Sequence, residues 1–274
     1  MDITSSTSVL GVVGKPVKHS LSPKIHNYLS KKLGLDYVYV AFEPDDISSV
    51  LKAVKDLGIR GINITAPYKY DAYNLVDVKS DSAIASGSVN TVVNNNGVLT
   101  GYSTDGEGLH HAMATENICI ENKNVILLGA GGAAEPVCVM LHKYGATKVS
   151  ILNRTTEKAQ KLADNLNARL NTDIFSVYKK GDVCEMIINT TSVGMGTDEN
   201  CLSMPELLEN AETAIDIIYH PRETAFLRMS HNAGLKTMNG LGMLVSQAVL
   251  AFEYFTGVKV SYELYQEVLN YINE

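Results

Sequence analysis

Two ionisable residues, Lys69 and Asp105, stand in sequence contexts that suit proton transfer. Lys69 ends the segment NITAPYK, and Asp105 lies in the segment STDG. An ammonium group can give a proton to an oxygen that gains charge during a reaction, and a carboxylate can hold that ammonium group in place. Both residues also have ordinary explanations, because Lys69 could be a solvated loop residue and Asp105 could cap a helix. The pair is therefore a hypothesis that depends on the residues around it.

A glycine-rich segment, GAGGAA, follows the apolar run NVILL and could bind a dinucleotide. In the GxGxxG/A pattern, the first glycine permits a tight turn and the second lets the backbone approach a pyrophosphate. The third small residue lets the helix pack closely on the strand, and the helix N-terminus offers free N–H groups to the anion. The cofactor-binding residues predicted here are Gly129, Ala130, Gly131, Gly132 and Ala133.

The end of the next predicted strand, KVSILN, bears on the choice between NAD and NADP. Enzymes that use NAD usually carry an acidic residue about 20 positions beyond the glycine motif. This chain instead has Asn153, Arg154 and Thr155 there, with Lys158 one helical turn later. A guanidinium and an ammonium group suit the 2′-phosphate of NADP. We therefore predict that these four residues bind NADP, although Arg154 and Lys158 could instead be solvated charges at a helix start.

Three polar clusters in the first hundred residues fit a small ligand with several hydroxyl groups. Ser20 and Ser22 lie between a predicted strand and a predicted helix, Asn63 and Thr65 follow a predicted strand, and Asn90 opens a predicted hairpin. In open α/β sheets, ligands bind outside the carboxyl ends of the strands. Hydroxyl and amide groups gathered there could surround such a ligand, although Ser22 could equally cap the helix that follows it.

The elements that must position these residues indicate an α/β protein of two domains. Strands and helices alternate as βαβαβ over residues 9–65, which predicts a mostly parallel sheet. The turn Asn95-Asn96-Gly97 predicts a hairpin, which would give this sheet an antiparallel edge. A second βαβ series begins at residue 124, and its near-continuous apolar strands are typical of a Rossmann-like sheet covered on both faces. Two helices are predicted at the end of the chain.

The composition excludes several classes of protein. With 274 residues, of which 45% are hydrophobic and 19% are charged, the chain is globular and long enough for two cores. A net charge of −7 argues against a nucleic-acid partner, and no apolar run approaches the roughly 18 residues that span a bilayer. The opening residues do not resemble a secretory signal. Four scattered cysteines suit a cytoplasmic protein, and the histidines show no metal-binding pattern.

Eight motifs in register resemble the shikimate dehydrogenase family across nearly the whole chain. They are HSLSP, NITAPYK, SVNT, STDG, GAGGAA, NRT, TSVGM and NGLGMLVSQA. The resemblance implies that Lys69 and Asp105 are the catalytic pair, and that Ser20 and Ser22 hold the substrate carboxylate with Tyr219 nearby. The residues that it implies for the substrate are Ser20, Ser22, Asn63, Thr65, Lys69, Asn90, Asp105, Tyr219 and Gln247. For the cofactor, it adds Thr191, Ser192, Val193, Gly240 and Met243.

The resemblance implies a reversible reduction of 3-dehydroshikimate to shikimate by NADPH, a step towards chorismate and the aromatic amino acids. Residues 1–104 and 238–274 would then form the substrate domain, because Gln247 lies in the C-terminal tail, and residues 105–237 would form the NADP-binding domain. The small-molecule substrate would be the main partner, and the protein would be a monomer or a homodimer.

Three alternatives stay open at this point. A quinate/shikimate dehydrogenase that uses NAD is disfavoured by Arg154-Thr155 without an acidic residue. A non-catalytic regulator that binds shikimate or nucleotide is disfavoured because Lys69 and Asp105 are both present. A different two-domain Rossmann dehydrogenase would not explain HSLSP and NITAPYK together.

The chain also departs from the family's usual pattern at several positions. Ala66 replaces Val, Ser103 replaces Asn and Lys158 replaces Arg. Glu135 adds negative charge beside the predicted anion site.

Overall fold

The computed structural model describes residues 3–273, which divide into two compact units. One unit runs to Gly108 and resumes at Val245, and the other is Leu109–Leu244. Each unit contains one six-stranded sheet with helices packed on it. The predicted α/β class with mostly parallel sheets is therefore confirmed. The roles of residues 1–104 with 238–274 and of residues 105–237 in binding substrate and cofactor remain predictions.

The elements of the first unit place the predicted substrate residues at strand ends and helix starts. Its strands are β1 (Ser8–Val13), β2 (Tyr37–Phe42), β3 (Gly61–Ile64), β4 (Val78–Lys79), β5 (Thr91–Asn95) and β6 (Val98–Tyr102). The helices up to residue 115 are α1 (Ser22–Lys32), α2 (Ile47–Asp56), α3 (Lys69–Leu75), α4 (Asp81–Ser86) and α5 (Asp105–Thr115). The sheet order is β2-β1-β3-β5-β6-β4.

The hairpin between β5 and β6 forms as predicted, but its place in the sheet differs from the prediction. Asn96 and Gly97 have φ values of 52° and 89°, which is the type I′ geometry that suits a two-residue hairpin turn. The predicted antiparallel edge is wrong, because β5 lies inside the sheet and the edge strand β4 pairs in parallel with β6. Helix α3 has seven residues and β4 has two, so neither is long enough to show a hydrophobic period.

The second unit is a fully parallel Rossmann-like sheet. Its strands are β7 (Asn124–Leu128), β8 (Lys148–Leu152), β9 (Phe175–Val177), β10 (Met186–Asn189), β11 (Thr213–Asp216) and β12 (Lys236–Met238), in the order β12-β11-β10-β7-β8-β9. Its helices are α6 (Ala134–Lys143), α7 (Thr156–Leu170), α8 (Ala225–Asn232) and a 3-10 helix at Pro205–Asn210. The strand order reverses between β7 and β10, which is where dinucleotides bind in this architecture.

Two features of the second unit explain its sequence pattern. Strands β10 and β11 are buried along their whole length, which accounts for the apolar residues 186–188 and 214–215, and each strand ends in a buried polar residue, Asn189 or Asp216. Helix α8 and strand β12 had no counterpart in the sequence prediction, because both are short.

The last two helices are α9 (Leu241–Thr256) and α10 (Tyr262–Asn273). Helix α9 packs on the sheet of the first unit, since a Cβ at Gly61 would lie 2.3 Å from the ring of Phe255.

Among residues 3–273, the structure has no helix that is both long and apolar enough to cross a membrane. The same residues contain no cluster of three or more His, Cys, Asp and Glu side chains that could hold a metal ion.

Candidate active site

The first unit brings Lys69 and Asp105 into direct contact. Lys69 is the first residue of α3 and Asp105 is the first residue of α5, and the lysine Nζ lies 2.6 Å from the Asp105 Oδ2. The two side chains are 20% and 13% exposed, so the pair is partly shielded from water but open to a small ligand. A lysine in this setting is not the fully solvated loop residue that its sequence context alone allowed.

Asn90 fixes the other oxygen of Asp105. The amide nitrogen of Asn90 donates to Asp105 Oδ1 at 2.8 Å and to Thr104 Oγ1 at 2.9 Å. In return, Asn90 Oδ1 accepts a hydrogen bond from the backbone N–H of Thr104 at 2.9 Å. Since Asn90 is 3% exposed and precedes β5, this ring of hydrogen bonds attaches the start of α5 to the sheet. Asp105 therefore has a fixed orientation towards Lys69.

Asn63 continues the network towards β2. Its amide nitrogen donates to Asn90 O at 3.2 Å and to Thr91 Oγ1 at 2.9 Å, which uses both of its N–H groups. Its Oδ1 accepts a hydrogen bond from the Tyr39 hydroxyl at 2.8 Å. Asn63 could therefore contact a further group only through the remaining lone pair of Oδ1, as an acceptor.

Tyr39 belongs to this network, although no motif in the sequence indicated it. Burial raises the pKa of its hydroxyl well above the ordinary value, and a hydrogen bond with Ser22 opposes that shift. The hydroxyl therefore stays protonated and donates to Asn63. Tyr39 lies in the middle of β2. A tyrosine in a buried strand is expected to need a hydrogen-bond partner for its hydroxyl group, but the sequence does not show which residue that partner is.

The remaining substrate candidates of the first unit lie on neighbouring elements. Ser22 is buried at the start of α1, and its backbone N–H donates to Ser20 Oγ at 3.2 Å. The N-cap of α1 is Leu21, so Ser22 is not the helix cap. Thr65 directly follows β3, and Gln247 packs against α5, because a Cβ at Gly108 would lie 2.7 Å from the Gln247 backbone nitrogen. Tyr219 belongs to the second unit, after β11.

The glycine segment of the second unit has the geometry that a pyrophosphate requires. Gly129 follows β7 with a φ of 104°, and a Cβ there would lie 2.8 Å from the Thr191 side chain. Gly131 is exposed, and a Cβ on it would meet no atom within 4 Å. Ala133 is the N-cap of α6 and has no side-chain capping bond. With Ala130 and Gly132, these residues leave the start of α6 open to an anion.

The end of β8 presents cations that are free to bind a phosphate. Arg154 and Lys158 are exposed, and within residues 3–273 neither side chain forms a hydrogen bond or an ion pair. Thr155 is the N-cap of α7, but its hydroxyl makes no capping bond. The Asn153 amide nitrogen donates to Thr155 O at 2.8 Å and shapes this turn. The group is chemically suited to the 2′-phosphate of NADP.

Glu135 does not leave an unbalanced negative charge beside the glycine segment. Its carboxylate is 9% exposed and lies 2.6 Å from Arg169 Nη2, near the end of α7. The negative charge that Glu135 adds beside the predicted anion site is therefore paired with an opposite charge 34 residues away. Ion pairs over such sequence separations leave no local pattern.

The remaining cofactor candidates surround the carboxyl ends of β10 and β11. Thr191, Ser192 and Val193 follow β10, and the Thr191 hydroxyl accepts a hydrogen bond from Val193 N at 3.2 Å. Gly240 lies so close to the backbone of Ile217 that a Cβ would come within 1.9 Å of its oxygen. Met243, in the first turn of α9, is 9% exposed and belongs to the core of the second unit.

The first two glycines of the segment, Gly129 and Gly131, should respond differently to alanine. Gly131→Ala should keep the free energy of unfolding but raise the Kd for NADP by about tenfold or more, because the methyl group would keep the pyrophosphate from the backbone N–H groups. Gly129→Ala should lower the free energy of unfolding by about 1–3 kcal/mol, because its φ is positive and its space is filled. Urea unfolding and calorimetric NADP titration would measure both. Equal destabilisation by the two variants would contradict this division of roles.

Comparison with known proteins gives one consistent result. Residues 12–92 match the family described as shikimate dehydrogenase substrate binding domain, residues 112–221 match shikimate/quinate 5-dehydrogenase, and residues 240–269 match the shikimate 5′-dehydrogenase C-terminal domain. A shikimate dehydrogenase (NADP(+)) of Alkaliphilus oremlandii is 39% identical, and the alignment covers 97% of this chain and 98% of the relative.

Solved structures of similar proteins extend this result to the fold. A shikimate 5-dehydrogenase from Thermus thermophilus, in complex with NADP(H) and shikimate, has a TM-score of 0.87 and 32% identity, covering 96% of this chain and 99% of that one. A shikimate 5-dehydrogenase from Listeria monocytogenes, in complex with shikimate and NAD, has a TM-score of 0.89 and 34% identity, covering 98% of both chains.

Proposed function

Because the chain belongs to the shikimate dehydrogenase family, we propose that Lys69 and Asp105 catalyse the reversible, NADP-dependent reduction of 3-dehydroshikimate to shikimate. The observation that carries this proposal is the 2.6 Å contact between Lys69 Nζ and Asp105 Oδ2, with Asn90 on the second carboxylate oxygen. NADPH, when bound, supplies the hydride for the ring ketone.

The proton that the ketone oxygen receives comes from a residue of the chain. As the ketone carbon gains hydride, its oxygen gains negative charge, and Lys69 Nζ gives that oxygen a proton. Asp105 keeps the lysine nitrogen in position, and Asn90 prevents the Asp105 carboxyl group from turning away. In the reverse reaction, Lys69 Nζ takes the proton from the substrate hydroxyl group.

The other polar residues bind the substrate without reacting. Ser20 and Ser22 hold its carboxylate through their hydroxyl groups. A role for Tyr219, which belongs to the second unit, remains a prediction of the family resemblance. The ring hydroxyls contact the remaining members of the group, which are Asn63, Thr65, Asn90, Asp105 and Gln247. Asn63 acts as an acceptor, because both of its N–H groups already donate within the protein.

The second unit would hold NADP. The glycine segment at the start of α6 would hold the pyrophosphate, and Arg154, Thr155 and Lys158 would hold the 2′-phosphate. The rest of the cofactor would be held by Asn153, Thr191, Ser192, Val193, Gly240 and Met243. The exposed cations Arg154 and Lys158, which have no partner within the described residues, favour a cofactor with the additional phosphate.

The working setting of the protein is also a proposal. The acidic net charge of −7 and the scattered cysteines support a cytoplasmic enzyme that has no nucleic-acid partner. It works as a monomer or a homodimer.

The experiment that tests the function follows absorbance at the nicotinamide band. Purified protein should reduce NADP rapidly with shikimate, and it should react much more slowly with quinate or with NAD. Faster turnover with quinate and NAD would support the quinate/shikimate dehydrogenase instead. Binding of both ligands without turnover would support a regulator, and inactivity with both substrates would contradict the proposal. Heat-denatured protein is the control for background reduction.

A further inference from the structure

A buried carboxylate in the second unit joins three segments near the proposed cofactor site. Asp216 ends β11 and is fully buried. Its Oδ1 accepts hydrogen bonds from Asn189 Nδ2 and from the backbone N–H of Ile218, each at 3.0 Å, and its Oδ2 accepts one from Thr224 Oγ1 at 2.7 Å. A charge that is kept out of water needs such partners. Because these partners come from three segments, Asp216 fixes the segments relative to one another.

Asn189 links Asp216 to the segment after β10 through hydrogen bonds. Asn189 is itself fully buried, and the bond from its Nδ2 to Asp216 determines which end of the amide carries the oxygen. That oxygen accepts hydrogen bonds from Thr191 N at 2.9 Å and from Thr191 Oγ1 at 2.7 Å. A reversed amide would face the Thr191 N–H with a donor. The carboxylate of Asp216 thereby holds Thr191, and the Thr191 hydroxyl in turn holds Val193.

Ile218 links Asp216 to the segments after β11 and β12 through backbone hydrogen bonds. While its N–H donates to Asp216, its oxygen accepts a hydrogen bond from Gly240 N at 2.9 Å. Gly240 also packs tightly on Ile217, where no larger residue would fit. Tyr219 is the next residue along the chain. A single carboxylate thus positions Thr191, Gly240 and the start of the Tyr219 segment.

These segments lie on one half of the sheet. A sheet with this strand order consists of two mononucleotide-binding halves. The glycine segment follows β7 and Arg154 follows β8, so the phosphate-bearing adenosine is expected on the β7-β8-β9 half. Asp216 and its partners belong to β10, β11 and the turns after them. The nicotinamide is expected on that half.

We propose that Asp216 is a positioning residue for the nicotinamide half of the cofactor site, an inference that rests on the proposed function. The residue touches neither substrate nor cofactor. It acts by holding Asn189 and Ile218, and through them Thr191 and Gly240, in the arrangement that receives the nicotinamide riboside.

The test compares the whole cofactor with its adenosine half in the full-length protein. We would measure by calorimetry the Kd for NADP and for adenosine 2′,5′-bisphosphate, which lacks the nicotinamide half. Asp216→Ala should raise the Kd for NADP by about tenfold or more, because one to two hydrogen bonds between the protein and the nicotinamide half of NADP are lost. The Kd for the bisphosphate should change by less than about twofold, because the bisphosphate has no nicotinamide half. Asp216→Asn should recover most of the NADP affinity, since an amide can accept from Ile218 and donate to Thr224.

Two further variants separate positioning from general damage. Asp182 also makes three hydrogen bonds in this unit, to Lys148, Ser150 and Lys179, so Asp182→Ala should change neither Kd. If Asp216→Ala does not fold, Asn189→Ala decides the question, because it removes the link to Thr191 and leaves Ile218 and Thr224 bonded to Asp216. It should weaken NADP binding selectively.

The possible outcomes are distinct. Selective weakening of NADP supports the proposal. Equal weakening of both ligands, or of neither, overturns it. If the wild-type protein bound neither ligand, the proposed function would fail first, and the positioning role would fail with it.

Discussion

Replacing Lys69 by methionine should lower kcat for shikimate oxidation by NADP about 10²- to 10⁴-fold, which is the usual contribution of a general acid or base. The KM for shikimate should change little, because the proposed contacts with the substrate carboxylate and ring hydroxyls come mainly from other residues. Methionine keeps much of the lysine volume at a side chain that is only 20% exposed. Initial rates at saturating NADP, over a range of shikimate concentrations, would separate the two constants.

Lys55→Met is the matched control for this substitution. Lys55 lies in the same unit and also pairs with an aspartate, with 2.8 Å between its Nζ and Asp77 Oδ2. Its loss removes an ion pair that includes none of the proposed site residues, so kcat should stay within about twofold, because partly exposed pairs contribute little. An unchanged kcat in Lys69→Met would remove Lys69 from the mechanism. If the melting curve shows that Lys69→Met alone fails to fold, Asp105→Asn becomes the deciding variant. We expect Asp105→Asn to lower kcat by a similar factor.

The parts of the fold that the sequence predicted correctly have local signals. The hairpin turn requires positive φ at two adjacent positions, and Asn96-Gly97 is the residue pair that accepts it most readily. The glycine segment carries its own conformational requirement at Gly129, and the apolar residues 186–188 and 214–215 indicate the buried strands β10 and β11. Each of these features can be recognised within about ten residues.

The parts that were wrong or missing depend on distant contacts or on very short elements. Strand β4 is two residues long and becomes the sheet edge only because it pairs with β6, so the antiparallel edge was a wrong prediction. The charge of Glu135 is balanced by Arg169, which no pattern near Glu135 indicates. A hydrophobic period describes which face of an element is buried. It does not describe which partner that face meets.

The candidate site shows the same division. Residue types at strand ends indicated where polar groups gather, and the family resemblance indicated which of them react. The approach of Lys69 to Asp105 closes a loop of 36 residues, and the Tyr39 bond to Asn63 closes one of 24 residues. Neither distance follows from composition or periodicity. Tyr39 and Asp216 were missed because a buried hydroxyl or carboxylate becomes informative only when its hydrogen-bond partners are known.

Removing the Arg154 guanidinium should change the choice of cofactor. We expect Arg154→Ala to raise the KM for NADP about 10- to 100-fold, the usual range for a lost hydrogen bond between charged groups, and to leave the KM for NAD within about twofold. The side chain is exposed and has no partner within residues 3–273, so its loss should not affect the melting temperature. Lys158→Ala should have a smaller effect, because an ammonium group is a single point of charge rather than a two-pronged donor.

Arg228→Ala separates a specific phosphate contact from the loss of one positive charge. Arg228 belongs to the same unit and pairs with Asp198 on the surface, so its removal changes the net charge equally. It should leave both KM values unchanged. The NADP preference of wild-type protein should also fall as salt rises, because an exposed phosphate contact is screened, and Arg154→Ala should lose most of that salt dependence. If Arg154→Ala instead raised the KM for NADP and NAD equally, Arg154 would bind a part that the two cofactors share, and the basis for NADP preference would have to lie elsewhere in the turn after β8.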